Sequence, residues 1–325
     1  MTNEIKNNLI TERIPAEEAL ELVKQEVDKA LYKSPLVIRN FTRHLISSRG
    51  KYIRALSVIY CAEDADQRVH PNAVRIAAAI EILHLATLVH DDVIDNAELR
   101  RGDVTLQKKY GKRTAVICGD YLLTVALRMA GSIENKKDYL ELMLPDYIGK
   151  LCLGELDQHI NNGNINLSIY RYLKIISGKT AALFEASYFA GAIFAGCSEK
   201  ESNRYRQLGY YVGMIFQLTD DCIDFEDTVE DAHKPVQSDY EQGVITLPLI
   251  HAFSKLDDFK AKARRQKITR IEINAAVAKT GGLDFTRDMV IKYYNKARLI
   301  IDELPAEKSK KEKLLLVLNK AARKR

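Results

Sequence analysis

Apolar residues recur along this chain at the three- and four-residue spacing that places them on one side of an α-helix. Such patterns cover residues 16–31 and about 53–63. His70-Pro71-Asn72 is a favourable helix start because proline is tolerated in a first helical turn. Residues 73–94, which follow, are apolar on nearly every side, and this predicts a central, buried helix.

Helical patterns also account for most of the remaining chain. No stretch shows sustained alternation with period two, and no repeat of fixed length is visible. Residues 161–166 and 226–243 are polar and are predicted to be loops. We therefore predict one all-α domain over residues 1–325, a single large helical bundle, with further helices over residues 114–132, 138–158, 169–195, 200–224 and 246–256.

Composition agrees with a soluble, helical protein. A chain of 325 residues can bury a large core, and its 7 prolines and 16 glycines are too few for an architecture of strands and turns. No basic start followed by an apolar run predicts a secretory signal, and residues 76–88 are too short to span a bilayer. The five scattered cysteines are expected to be buried thiols in a reducing compartment. We predict a cytoplasmic protein.

The net charge of +5 suits anionic substrates. Aromatic residues are not interleaved with the basic ones, so the charge does not indicate a nucleic-acid partner.

Two acidic clusters carry the candidate chemistry: Asp91, Asp92 and Asp95, and Asp220, Asp221 and Asp224. Residues four apart share one side of a helix, so each cluster brings three carboxylates together that repel one another unless a cation neutralises them. Both clusters follow strongly apolar runs, and acids at the C-terminal end of a helix are unfavourable caps. Oxygen ligands of this kind select hard cations such as Mg²⁺, which also binds substrate phosphates. A solvated helix end rich in aspartate is an alternative explanation for one such cluster, and a much poorer one for two clusters with identical spacing.

With these residues in place, the chain resembles the polyprenyl synthetases, the trans-isoprenyl diphosphate synthases, and in particular those that make hexaprenyl to octaprenyl diphosphate. The resemblance runs from about Gly50 to Pro248 in the family's order. Its motifs are Gly50-Lys51-Tyr52-Ile53-Arg54, Glu81-Ile82-Leu83-His84, Asp91-Asp92-Val93-Ile94-Asp95, Arg100-Arg101-Gly102, Lys179-Thr180, Phe216-Gln217, Asp220-Asp221-Cys222-Ile223-Asp224, Lys234-Pro235 and Gly243 through Pro248. The chain departs from the family's pattern at Arg49, Ala55, His233 and Val244.

The resemblance implies a helical fold of the isoprenoid synthase type, with a central apolar cavity and two or three Mg²⁺ ions bound with an allylic diphosphate. The substrates would be isopentenyl diphosphate and farnesyl or geranyl diphosphate. The six aspartates would be the metal ligands, directly or through water. By the same resemblance, Arg100, Lys179, Thr180, Gln217 and Lys234 would contact the allylic diphosphate or its nascent cation, Lys179 and Lys234 acting in catalysis. The isopentenyl diphosphate would be held by Lys51, Arg54, His84 and Arg101.

Three other readings remain open. His90-Asp91 is the kind of step that a metal phosphohydrolase uses, although no second His-Asp step occurs. A non-catalytic prenyl-lipid-binding subunit would be expected to have lost acids from one cluster, and this chain has lost none. A short-chain synthase, making farnesyl or geranylgeranyl diphosphate, is the alternative within the family.

The residues that precede the first cluster bear on product length. In the family, a bulky aromatic five residues before the first aspartate stops growth early, whereas this chain has Ala86 followed by Thr87. We therefore expect a medium-to-long product, of hexaprenyl to octaprenyl length or longer. The family also implies a homodimer, or a large subunit that needs a small partner. The basic tract 308–325 contains leucines and permits at most a peripheral membrane contact, a solvated final helix being the simpler interpretation.

Overall fold

The computed structural model of the protein describes residues 12–46, 50–133, 142, 144–226, 240 and 243–323. These residues are predominantly helical, so the predicted all-α fold class is confirmed. The helices, in chain order, are α1 (Ala16–Tyr32), α2 (Leu36–His44), α3 (Ile53–Ala62), α4 (Pro71–Ile94), α5 (Leu106–Tyr110), α6 (Lys112–Gly131), α7 (Leu144–Ile160), α8 (Ile169–Ile176), α9 (Ala182–Phe194), α10 (Glu199–Glu226), α11 (Leu247–Lys255), α12 (Asp257–Arg265), α13 (Arg270–Thr280), α14 (Gly282–Glu303) and α15 (Lys308–Ala321).

The predicted helices agree with the structure except in one place. Helix α4 starts where expected, with the His70 side chain accepting a hydrogen bond from the Asn72 backbone N–H at 3.0 Å and Pro71 in the first turn. The helix predicted over residues 169–195 is instead interrupted by a π-helical segment, Ser177–Ala181, between α8 and α9. The first residues of the helix predicted over 138–158 lie outside the described part of the chain.

Within the described part of the chain, four two-residue strands are present that the sequence pattern did not predict, because two residues are too few to show a period. Strand β1 (Ile14–Pro15) pairs antiparallel with β2 (Arg68–Val69), and β3 (Leu99–Arg100) pairs antiparallel with β4 (Asp103–Val104). The segment around the Arg100-Arg101-Gly102 motif is therefore a short hairpin. Arg101 and Gly102 form its turn, and both have positive φ, as a type I′ turn requires.

Contacts between residues divide the chain into two compact units. The first comprises the described residues of Met1–Met143, Ala186–Gln207 and Leu304–Val317, and the second those of Leu144–Glu185, Leu208–Glu303 and Leu318–Arg325. Helices α9, α10 and α15 contribute residues to both units. The prediction of one domain stays a prediction.

Helix α4 forms the core of the first unit and packs against α1, α3 and α6. Its contact with α6 is close at Gly119, where an added Cβ would lie 2.2 Å from Nε2 of His90. Helices α4 and α6 are both long and apolar enough to cross a membrane by length and composition, α4 being longer than the apolar stretch 76–88 suggested. Most of the apolar window of α4 is buried inside the protein, as expected for a core helix.

The basic tract at the C-terminal end faces inward over part of its length. In the first unit, the ammonium of Lys310 donates to the backbone carbonyls of Cys61 and Glu63 at 2.7 and 2.8 Å, at the C-terminal end of α3. Lys313 pairs with the buried Glu63 carboxylate at 2.7 Å. Leu314 and Val317 are also buried and stabilise the unit, whereas Leu316 is exposed, and a peripheral membrane contact of this tract stays a prediction.

The second unit has a core of its own, built from α8, the π segment, α10, α11 and α13. Helix α13 is delimited by a capping box of Thr269 and Glu272 and by Gly281, whose φ of 67° ends the helix in the left-handed region. Of the five thiols, Cys61, Cys118 and Cys222 are buried as expected and Cys197 is partly buried, whereas Cys152 is exposed, because α7 turns that residue outward. The expectation of buried thiols is therefore wrong for Cys152.

Candidate active site

The first aspartate-rich motif closes helix α4, with Asp91 and Asp92 in the last turn and Asp95 as the C-terminal cap. Asp92 is buried, and its Oδ1 accepts a hydrogen bond from Nε of Arg100 at 2.7 Å. Helix carbonyls at this end make the potential negative, so carboxylates here are unfavourable without positive partners. Arg100 supplies one such partner from the β3–β4 hairpin, which explains why the hairpin follows the motif.

A cationic group lies beside this motif in the first unit. Arg54, Arg100, Arg101 and His84 interact electrostatically, with Glu81 as the acidic partner of Arg54 and Arg101. Burial lowers the pKa of Arg54 to about 10. Burial and then the three arginines lower the pKa of His84 well below its ordinary value, so this imidazole is neutral near pH 7. Three guanidiniums with one buried acid make a site suited to an anion with several charges.

Backbone geometry brings the predicted glycine-lysine-arginine motif to the same place. An added Cβ on Gly50 would lie 3.1 Å from a terminal nitrogen of Arg101, so the guanidinium rests against bare backbone. Glu81 accepts a hydrogen bond from the Ala55 backbone N–H at 2.9 Å, which fixes the start of α3 next to Arg54. Arg54, His84 and Arg101, which the resemblance assigned to one substrate, thus lie together, and Arg100, which it assigned to the other, lies beside them. Lys51 is exposed.

An apolar wall lies next to these charges. A pocket in the first unit is lined by Leu85, Leu88 and Val89 of α4 and reaches Asp92 and Arg100. Ala86 is 2% exposed. The hydroxyl of Thr87 donates to the His84 carbonyl at 2.8 Å. That these two residues form the floor of the cavity, where growth of the product would stop, stays a prediction.

The second aspartate-rich motif lies in the last two turns of α10, in the second unit, and its carboxylates have contrasting surroundings. Asp220 is 47% exposed and accepts a hydrogen bond from a terminal nitrogen of Arg323 at 3.1 Å. Asp221 is 1% exposed and accepts hydrogen bonds from the Tyr172 hydroxyl at Oδ2 and from the Gln217 amide at Oδ1, the latter at 3.0 Å. Asp224 is partly buried. One acid of this motif therefore faces solvent while its neighbour is held inside.

The predicted Lys179-Thr180 pair lies in the π segment. Such segments occur in helices at functional sites because they widen one turn and redirect its side chains. The ammonium of Lys179 pairs with Glu155 of α7 at 3.0 Å. The hydroxyl of Thr180 donates to Oε1 of Gln217 at 2.7 Å, so these two predicted residues are in direct contact.

Two glycines let α7 approach the π segment. An added Cβ on Gly154 would lie 2.3 Å from the backbone nitrogen of Lys179, and one on Gly178 would lie 2.8 Å from the Lys150 carbonyl. Distances this short exclude any side chain without a backbone shift. The residue next to Gly154 in α7, Glu155, is the one that reaches Lys179.

The donor set fits Mg²⁺ bound together with a diphosphate. Among the described residues, no three His, Cys, Asp or Glu side chains form a group that would hold a metal ion alone. Mg²⁺ usually takes one or two carboxylates, several waters and substrate phosphate oxygens, so a complete protein cage is not required. Each aspartate-rich motif, the one at the C-terminal end of α4 and the one at the C-terminal end of α10, can by itself offer such carboxylates, at a helix end whose negative potential favours a cation.

Lys234, which the resemblance places at the allylic diphosphate, lies outside the described residues.

His90 is the residue that suggested a metal phosphohydrolase. Its Nε2 lies 3.2 Å from the Val116 carbonyl and 3.4 Å from Asp120, both on α6. These contacts place the ring in the packing between α4 and α6.

Sequence reasoning missed two residues of the site. Tyr172 and Glu155 lie seven and twenty-four residues before Lys179 along the chain, and no local pattern marks either one. Glu81 was noted only as a neighbour of His84, and its burial beside the arginines appears only in the fold.

Comparison with known proteins shows which family the chain resembles in sequence and in fold. The model of the polyprenyl synthetase family matches residues 35–280. Component 2 of the heptaprenyl diphosphate synthase of Geobacillus stearothermophilus is 33% identical over 90% of this chain and 91% of its own. The crystal structure of heptaprenyl diphosphate synthase from Staphylococcus aureus covers 97% of this chain and 100% of its own, at 32% identity and a TM-score of 0.87. A polyprenyl synthase from Caulobacter crescentus, complexed with calcium and isoprenyl diphosphate, covers 95% of both chains, at 30% identity and a TM-score of 0.84.

The fold is thus that of the all-α isoprenyl synthases. The chain belongs to the polyprenyl synthetase family and is a prenyltransferase.

Proposed function

We propose that this protein is a Mg²⁺-dependent trans-polyprenyl diphosphate synthase that extends an allylic diphosphate with isopentenyl units to a medium or long chain. The observation that carries the proposal is the pair of aspartate-rich motifs at the ends of α4 and α10, in a chain of the polyprenyl synthetase family. Farnesyl or geranyl diphosphate would be the primer. A heptaprenyl product class is supported by the names of two relatives.

The residues of the first unit are suited to isopentenyl diphosphate. Arg54 and Arg101 can each present a planar fork to a phosphate, which matches the geometry of its oxygens. A neutral His84 can donate one N–H without adding charge to the group. Glu81 restrains Arg54 and Arg101 in the absence of substrate and leaves the group positive overall. We assign Lys51 to the edge of this site, since its ammonium is exposed and can follow a bound anion.

In the second unit, Lys179 and Thr180 are suited to the allylic diphosphate. Lys179 is held by Glu155 at 3.0 Å and can move to a phosphate oxygen, because an ion pair with partly exposed partners is weak. Thr180 stays aligned by its hydrogen bond to Gln217. Arg100, which is restrained by Asp92 in the first unit, keeps the role in binding the allylic diphosphate that the resemblance implies. Lys234 keeps its predicted role in binding that diphosphate.

The reaction breaks the C–O bond of the allylic diphosphate, and pyrophosphate leaves with the electron pair. The double bond of isopentenyl diphosphate attacks the allylic carbon, which forms one C–C bond and leaves a tertiary cation. The carbon between that cation and the diphosphate-bearing carbon then loses a proton, and the C–H electron pair forms the new double bond. Mg²⁺, when bound by the aspartates, supplies charge that stabilises the leaving pyrophosphate. Lys179 would add positive charge at the same leaving group. In the first unit, the apolar residues Leu85, Leu88 and Val89 line the pocket beside Asp92 and Arg100 and keep water out of it.

The proposal is tested with the purified chain, labelled isopentenyl diphosphate, farnesyl diphosphate and Mg²⁺. We expect label in extended prenyl chains, resolved by chromatography, and none when EDTA replaces Mg²⁺. Absence of incorporation under every condition, including addition of a second subunit, would contradict the proposal.

A heteromeric enzyme is a second form of the proposal, since a relative at 33% identity is named as a component. In that form, the lone chain incorporates no label, and activity appears when a small partner subunit is added. Otherwise we propose a homodimer. Sedimentation of the active preparation distinguishes the two, and a cytoplasmic location is proposed for both.

Substitution of Ala86 by phenylalanine is expected to shorten the product. Ala86 is 2% exposed and lies five residues before Asp91, so an added ring enters space beside the motif. Ala79, also buried, is one heptad earlier in α4 and about 10 Å further from Asp91. We therefore expect Ala86→Phe to stop growth earlier than Ala79→Phe, measured as the distribution of labelled products. Melting temperatures of both variants check for overpacking, and an unchanged distribution in folded Ala86→Phe would show that the floor lies elsewhere.

A further inference from the structure

Tyr172 is bonded to the buried aspartate of the second motif. It lies in α8, 4% exposed, and its hydroxyl donates to Oδ2 of Asp221, which is 1% exposed. The other oxygen of the same carboxylate accepts the amide of Gln217 at 3.0 Å. A buried carboxylate needs hydrogen-bond donors of this kind. Moving its charge out of water costs a large free energy, which packing contacts alone do not offset.

These bonds continue to the Lys179-Thr180 segment. Thr180 donates to the oxygen of the Gln217 amide at 2.7 Å, and the nitrogen of that amide donates to Asp221. The stretch from α8 through the π segment is therefore joined to the end of α10 at two points, by Tyr172 and by Thr180. Close packing accompanies the bonds, since an added Cβ on Gly213 of α10 would lie 2.5 Å from Cα of Ala181.

We propose that Tyr172 is a positioning residue for the second aspartate-rich motif, an inference that rests on the proposed function. Its hydroxyl keeps Asp221 turned inward, so that Asp220, one residue earlier and half-exposed, keeps its outward orientation, in which it would meet a cation. Without that hydroxyl, the Asp221 carboxylate keeps its hydrogen bond from the Gln217 amide but turns toward other donors. This movement rotates the last turns of α10, which carry Asp220. Partners that orient metal-binding side chains typically change metal affinity by about 10- to 100-fold when removed.

Tyr172 also packs in the apolar core of the second unit, so a purely structural role has to be distinguished. Tyr172→Phe keeps the ring in that core and removes only the hydroxyl. Tyr170→Phe is a matched control, because Tyr170 lies two residues away in α8 and is 78% exposed. Gln217→Met is a second variant, removing the other hydrogen bond to the same carboxylate.

The experiment measures Mn²⁺ binding to each full-length protein by electron paramagnetic resonance, with inorganic pyrophosphate present. We expect a Mn²⁺ dissociation constant about 10-fold higher in Tyr172→Phe, a similar rise in Gln217→Met, and no change in Tyr170→Phe. In Tyr172→Phe, the Mg²⁺ concentration for half-maximal turnover should rise in parallel, with kcat largely restored at saturating Mg²⁺.

The outcomes separate the two claims. If folded Tyr172→Phe binds Mn²⁺ as tightly as the unsubstituted protein, the positioning role is wrong and the hydroxyl serves only packing. Should Tyr172→Phe not fold, an unchanged Mn²⁺ affinity in Gln217→Met overturns the role instead. If the unsubstituted protein itself binds no Mn²⁺ with pyrophosphate, the proposed function fails, and this inference falls with it.

Discussion

Asp220→Asn should lower kcat by at least about 100-fold while leaving the protein folded, as the loss of one preorganised electrostatic contact at a reacting centre typically does. The asparagine keeps the shape of the side chain and removes the charge that a cation would meet. Asp220 is half-exposed, and its ion pair with Arg323 is a surface pair worth about 0–1 kcal/mol, so the melting temperature should barely move. Steady-state incorporation of labelled isopentenyl diphosphate, with a thermal melt, measures both quantities.

The chain supplies a matched control in Asp284. This aspartate is also exposed and also pairs with an arginine, Arg287, at 2.9 Å, but it lies in α14, outside the aspartate-rich motifs. Asp284→Asn should keep full activity. Activity of Asp220→Asn within tenfold of Asp284→Asn would show that the second motif does not carry the chemistry.

Gly154→Ala should destabilise the protein by about 3 kcal/mol, at the upper end of ordinary overpacking. The new Cβ would lie 2.3 Å from the backbone nitrogen of Lys179 and 2.9 Å from Cα of Gly178, and backbone atoms cannot rotate aside as a long side chain can. If the variant folds, α7 and the π segment must separate. The ion pair between Glu155 and Lys179 then changes, and the KM of the allylic substrate should rise. Chemical denaturation and substrate titration measure the two effects.

Gly149 lies in the same helix and provides a control. Substituting it tests whether the loss of stability in Gly154→Ala comes from the contact with the π segment or from replacing a helical glycine as such. No atom lies within 4 Å of an added Cβ there. Alanine is favoured over glycine in a helix interior by about 1 kcal/mol, so Gly149→Ala should be as stable as the parent protein or more so. Equal stability of the two variants would mean that α7 does not pack on the π segment as described.

Much of the fold follows from the sequence because helical periodicity is a local property. The bounds of α1, α3 and α4 were predictable from apolar spacing and from Pro71 in a first turn. The π segment was not, because residues 169–195 read as one continuous helix and the extra residue per turn leaves no mark in their pattern. The β3–β4 hairpin was missed for a related reason, since its strands have two residues each.

The candidate site was predictable only where its residues lie in motifs. Spacing indicated the six aspartates, and the family resemblance added Thr180 and Gln217, which the structure places 2.7 Å apart. The partners that restrain these residues come from distant parts of the chain: Tyr172 reaches Asp221 across 49 positions. Such contacts depend on how helices pack, and no short pattern encodes them. The resemblance also gave no reason for Gly154, whose role appears only once α7 lies against the π segment.

The central claim, transfer of a prenyl group by this chain, is tested most directly by the stoichiometry of products. The purified protein, with its partner subunit if one is required, is incubated with Mg²⁺, farnesyl diphosphate and labelled isopentenyl diphosphate. Released pyrophosphate and incorporated label are then counted in the same sample. Transfer predicts one pyrophosphate for each isopentenyl unit incorporated. Release of phosphate or pyrophosphate without incorporated label would identify a hydrolase and contradict the account.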